Sequence, residues 1–156
     1  MGFSMIKLLV AVAAFALTIF PAQAALSTIY IIAGVHDNGG AANTGFASTV
    51  SCINASGATQ TIQVKAYGAT GGLRGTSSLA ASHGQVRTFS THGTAAFAED
   101  DDISPGLEIN GGSFLVLATS PKVYCSAWMG DAALDPPASL VELHVVRFNP
   151  VPGTAE

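Results

Sequence analysis

Apolar and polar residues alternate along most of the chain in short runs, and Gly, Asn, Ser and Pro separate one run from the next. A period of two puts one set of side chains on a buried face and the other in solvent, the mark of a half-buried β-strand. Residues 60–68, QTIQVKAYG, show it most cleanly: Ile62, Val64 and Ala66 fall together, with Gln63 and Lys65 opposite. In residues 46–54, FASTVSCIN, the apolar face is Phe46, Val50 and Cys52, and Thr49 and Ser51 lie on the other. Residues 27–35, STIYIIAGV, are rich in the β-branched and aromatic residues that favour strands. Residues 85–90, 113–120, 122–129 and 139–148 complete the set. In the last of these Val141, Leu143 and Val145 share one face, with Glu142 and His144 opposite.

Turn chemistry punctuates these strands. Asn38-Gly39 predicts a type I′ hairpin turn, and Ser120-Pro121 predicts a turn between two neighbouring strands. Beyond residue 24 nothing repeats at the three- and four-residue spacing of an amphipathic helix, and Gly is frequent. A chain of alternating strands must bury its apolar face against another sheet. The expectation is an all-β, two-sheet antiparallel sandwich, with a barrel as the second choice.

The N-terminus departs from this pattern. Lys7 precedes an apolar run from Leu8 to Phe20, followed by Pro21-Ala22-Gln23-Ala24. One positive charge, a short apolar run and an Ala-x-Ala ending predict a secretory signal peptide, residues 1–24, cleaved after Ala24. The run falls short of the ~20 apolar residues that span a bilayer. No later run reaches that length, so no membrane span is expected after cleavage. Residues 25–148 are then a single domain and residues 149–156 a loosely ordered tail, in a protein that is secreted, periplasmic or held at the cell surface. Charge bounds the partners: ten acidic against six basic residues give a net charge of −4, with no basic cluster to meet phosphate backbones. Nucleic acid is therefore excluded as a partner. So few charges also leave the surface less protected against self-association.

The chain has two cysteines, Cys52 and Cys125. In an exported protein an even count predicts a disulfide. Each lies on the inward parity of its own strand, so the expected bridge joins facing sheets. Cys52 falls on the second predicted strand and Cys125 on the penultimate one, a layout that resembles the immunoglobulin-like sandwiches. The stretch from Asn54 to Gly68, followed by LAASHGQVRTFS at 79–90, is similar to the strand–turn–strand pattern of small bacterial modules of that class. The resemblance implies an immunoglobulin-like sandwich with one inter-sheet disulfide, and it implies no activity.

Candidate chemistry is confined to a few places. AEDDDISPG, residues 98–106, crowds Glu99, Asp100, Asp101 and Asp102 together. Calcium takes six to eight oxygens, which these residues could supply with Glu108, Asn110 and backbone carbonyls. A solvated acidic turn around Ser104-Pro105-Gly106 explains the same residues, and both readings stay open. Ser90, His92 and an acidic residue such as Asp100 have the composition of a nucleophilic triad, without a nucleophile motif to support it. His36 and Asp37 are explained by the turn that follows them. Tyr124 and Trp128 have the parity opposite to Cys125, so they face outward as a surface for stacking on sugars or for a protein partner, unless the following loop covers them. Asp131 belongs to the loop that would rim this patch. Asn54-Ala55-Ser56 has the form of a glycosylation acceptor.

These observations predict an exported, non-enzymatic β-sandwich module, structural or adhesive, binding an extracellular protein or glycan. It requires no cofactor, and calcium is its one candidate ion. Two alternatives remain: a small secreted hydrolase using His92 with Ser90, and a pilus-like assembly subunit.

Overall fold

The computed structural model describes residues 24–104 and 106–148. The predicted signal peptide up to Gln23 and the predicted tail 149–156 lie outside the described residues. The strands in chain order are β1 (Ser27–Asn38), β2 (Phe46–Asn54), β3 (Gln60–Tyr67), β4 (Leu73–Ala81) and β5 (Val86–Ser90). There follow β6 (Asp101–Asp102), β7 (Glu108–Ala118), β8 (Val123–Asp131), β9 (Leu140–Glu142) and β10 (Val145–Arg147). They form two five-stranded sheets: sheet A in the order β10-β1-β7-β3-β4 and sheet B in the order β6-β5-β2-β8-β9. Every pairing is antiparallel except that of β5 with the two-residue β6.

The alternation read from the sequence places the core. Ile62, Val64 and Ala66 of β3 are fully buried. They join Ile32, Phe114 and Val116 of sheet A in one cluster with Val50, Phe89 and Ala127 of sheet B. Each large side chain buried this way stabilises the fold by roughly 1.5–3 kcal/mol relative to exposure. The all-β, two-layer architecture is the expected one.

The Cys52–Cys125 bridge forms, but it does not join the sheets. Cys52 and Cys125 are direct cross-strand partners on β2 and β8 of sheet B. Both point inward as their parity predicts; inward parity alone does not say which sheet a strand belongs to. The bridge closes a loop with a sequence separation of 73 residues, worth on the order of 4 kcal/mol if the unfolded chain is constrained entropically.

Sheet membership also corrects the predicted turns. The links after Asn38 and after Ala118 both carry the chain from sheet A to sheet B, so neither is a hairpin. Gly39 does adopt the positive φ that the turn residues foretold, at 74°. The true hairpins are β3–β4 and β8–β9. β4 escaped the reading because LRGTSSLAA has little β-branched or aromatic content. The run 139–148 divides: β9 pairs with β8 in sheet B, the chain crosses at Leu143-His144, and β10 pairs with β1 in sheet A. Leu143 is buried at the crossing while Val141 is exposed, so the single apolar face expected there does not persist.

Side chains close the sandwich where backbone pairing ends. On one flank the Nε of Arg87 donates to Ala80 O at 2.7 Å, and the Ser77 hydroxyl donates to Asp101. Gly75 is required on that flank, because a Cβ there would run into the backbone carbonyl of Ile103. At the β2–β3 link the buried Asn54 amide donates to Ala58 O at 2.7 Å and to Ala81 O at 2.8 Å. Its nitrogen is committed, so this Asn is no glycan acceptor.

Candidate functional site

The polar residues with the richest chemistry are drawn inward. Asp37 is the last but one residue of β1, and the chain leaves β5 through Thr91 to His92; the Asp37 and His92 side chains are buried, at 0% and 1% exposure. His92 Nδ1 lies 2.7 Å from Asp37 Oδ2, and Nε2 lies 2.9 Å from Thr44 O. A carboxylate and a carbonyl both accept, so both ring nitrogens donate and the ring is held as imidazolium. The hydrogen bond to Asp37 raises the proton affinity of His92 above its ordinary value against the opposing effect of burial. Burial alone would raise the Asp37 carboxyl. Hydrogen bonds from His92, Thr91 and the Gly39 amide outweigh it and hold the group below the usual carboxylate range.

This arrangement does not gather Ser90 with His92. The Ser90 hydroxyl sits 2.6 Å from Thr49 Oγ1 and donates to Glu99 Oε1 at 3.2 Å. His92, with both nitrogens donating, offers no acceptor to a nucleophile. The expected acid of the set, Asp100, lies elsewhere again, and the partner of His92 is instead Asp37, which the sequence placed in a turn.

The acidic run is likewise divided among separate partners. Glu99 accepts from the Thr94 amide at 3.0 Å and from the Thr94 hydroxyl. Asp100 forms a 2.7 Å ion pair with Arg87 and accepts from the Thr88 amide at 2.8 Å. Asp101 takes the Ser77 hydroxyl on β4, in the opposite sheet. Asp102 is pushed above its ordinary value by burial and then by neighbouring Glu99. Among the described residues no three His, Cys, Asp or Glu side chains converge in an arrangement that could hold a metal ion.

The outer face of sheet B is organised differently. Strand register aligns its outward side chains in rows that run across the strands. One row is Val86, Ile53 and Tyr124 on β5, β2 and β8. It is apolar and open, with exposures of 48%, 39% and 52%. The next row is Thr88, Ser51 and Ser126, all hydroxyls, with Ser51 Oγ and Thr88 Oγ1 2.9 Å apart. The third is Ser90, Thr49 and Trp128. Its Trp128 is covered in part by Phe97, stacked with ring centroids 5.8 Å apart and planes inclined by 17°.

Tyr124 and Trp128 therefore share the outward face, as expected. Asp131 does not join them: its odd position points to the other side of β8, and its carboxylate accepts from the Ala133 amide at 2.8 Å, shaping the loop after the strand. The missed members, Ile53 and Val86, carried a signal in the sequence. Each is a β-branched apolar residue on the outward parity of its strand, and the strand register aligns them with Tyr124.

Below β9 this face borders a cleft of about 430 Å³ lined by Ser126, Glu142 and His144, with Cys125, Leu143 and Val145 behind them. The cleft exists because β9 ends at Glu142 and the chain leaves for sheet A, so no strand pairs with the lower part of β8 on that side, where Val123 O accepts from the Tyr30 hydroxyl at 3.0 Å. Compared with protein-family models, curated proteins and solved structures, the chain matches none.

Proposed function

We propose that this is an exported, non-enzymatic recognition module that works outside the cytoplasm and binds through the outer face of sheet B. The observation that carries the reading is the open row of Val86, Ile53 and Tyr124, aligned by register and uncovered by any described loop. Large apolar side chains held together in solvent are costly unless a partner covers them. The polar groups that would serve catalysis or ion binding are meanwhile engaged with one another, His92 with Asp37 in the interior and Asp100 with Arg87 at the surface. Export is supported by the apolar leader with its Ala22/Ala24 ending and by a disulfide of the kind that persists in oxidising compartments.

Two measurements test the reading. The chain recovered from outside the cells that produce it should begin at Ala25 by mass; recovery in the cytosol with its leader intact would overturn export. The purified chain should co-sediment with the surface material of those cells, and Ile53→Lys should abolish this without moving the melting temperature. Equal sedimentation of the variant would remove the face from consideration.

A further inference from the structure

The chemistry of the face and its cleft narrows the class of ligand. The apolar and hydroxyl rows carry no formal charge, and the chain as a whole is negative, so an anionic ligand gains nothing here. A cation would find Glu142 at the edge by the cleft, while at the other end of the rows Asp100 is already paired with Arg87 and Glu99 is taken up by Ser90 and Thr94. What the surface does offer is closely spaced groups that both give and take hydrogen bonds. Ser51 and Thr88, which share one hydrogen bond with each other, and Ser126 contribute hydroxyls, Glu142 accepts, and His144 adds its ring nitrogens.

The backbone adds to this set. Cys52 and Cys125 face each other with Cα atoms 4.1 Å apart, the close spacing of a non-hydrogen-bonded pair. The N–H and C=O of Cys125 therefore point away from β2, toward the side that β9 leaves uncovered, which is the cleft. A ligand rich in hydroxyls satisfies such a mixed set, since every hydroxyl is both donor and acceptor. The Tyr124 ring beside it, two residues from Ser126 on the same face, gives the C–H side of a sugar ring a flat apolar surface. The cleft volume of about 430 Å³ lies within the roughly 300–1,000 Å³ of small-molecule sites.

We infer that the outer face of sheet B binds a neutral oligosaccharide, laid across the strands over Thr88, Ser51 and Ser126, with its end sugar in the cleft between Glu142 and His144. The inference rests on the recognition reading above and names the ligand class for it.

The test is a titration of the full mature chain, oxidised and isotope-labelled, with cello-, xylo-, malto- and chito-hexaose at millimolar concentration. Amide resonances and the fluorescence of Trp128, the single tryptophan, are followed together. At least one sugar should give saturable shifts centred on Ser51, Cys125 and Ser126. Tyr124→Ala and Glu142→Gln should each weaken that binding about tenfold, a loss of about 1.4 kcal/mol, with an unchanged melting temperature. No saturable shift with any of the four sugars would overturn the inference. If the same amides then moved with protein concentration alone, the occupant would be a second copy of the chain and the recognition face would stand. Sugar-induced shifts confined to sheet A would overturn both.

Discussion

Two regions of the molecule differ in what their polar groups have left to give: the Asp37–His92 pair, between β1 of sheet A and the link after β5, and the outer face of sheet B. At the Asp37–His92 pair every donor and acceptor is spent within the fold, and water is excluded. On the outer face of sheet B, half-buried hydroxyls stand beside the apolar side chains of Val86, Ile53 and Tyr124, which are open to solvent. His92 is fastened to Asp37 and Thr44 in the interior, while the Ser, Thr, Ile and Val positions belong to the surface on which the proposed recognition would take place.

The contrast can be broken most strongly at the pair. Asp37→Ala removes the carboxylate that holds the proton on buried His92, so the ring must either give up that proton or stay charged without a partner, and losing one partner of a buried ion pair costs about 3–5 kcal/mol. Chemical denaturation should show this as a lower midpoint at unchanged slope. A loss below about 1 kcal/mol would mean that the pair is not buried in solution.

Next in size is the pH dependence. His92 holds its proton more tightly in the folded chain than its ordinary value of 6.5, so its contribution is complete below about that pH and is lost as pH rises through the raised folded value. Asp37 is lowered from 3.8, so its contribution is complete above that pH and is lost as pH falls through the lowered folded value. Asp102, raised by burial, works against Asp37 on the acid side, which makes the alkaline limb the clean test. The melting temperature should decline from pH 6 to pH 9, and His92→Gln should flatten that decline. A tenfold difference in proton affinity between folded and unfolded states corresponds to about 1.4 kcal/mol.

A smaller effect belongs to the border between the two regions. Phe97→Ala removes a ring stacked on Trp128 and should cost about 0.5–1.5 kcal/mol beyond the lost burial, with a red shift in Trp128 emission as water reaches it. The smallest lies on the open face itself. Ile53→Thr should change stability by no more than about 0.5 kcal/mol, because an outward side chain without packing partners contributes little to the fold. Its effect should appear in binding alone.

Much of the fold was legible where local chemistry decides it. The strands β1, β2, β3 and β8 follow from β-branched content and alternation, and so does the outward parity of Tyr124 and Trp128. What escaped was decided over distance. Asp37 and His92 lie 55 residues apart, and neither stands in a motif; only the packing of two links brings them together. Turn residues such as Asn38-Gly39 announce that the chain bends and do not say whether it returns to the same sheet or crosses to the other. The bridge between Cys52 and Cys125 was likewise expected as a pair and misassigned as an inter-sheet tie. β4, built on Gly, Ser and Ala, is a strand by virtue of its neighbour β3 and not by its own composition.

The crossing of the last segment from sheet B to sheet A also sets how the molecule responds to force. Phe148 donates to Ile29 O at 2.8 Å, and β10 runs antiparallel beside β1, so the two ends of the described fold emerge together from one edge of one sheet. Tension applied between them loads the β1–β10 bonds one after another, as in opening a zip, and does not shear them all at once. β10 would peel first, then Leu143 would leave its place on Ala127, and only then would β9 separate from β8. A tether at these ends would therefore yield stepwise at low force, while the disulfide-bonded pair β2–β8 and the face it carries remained intact.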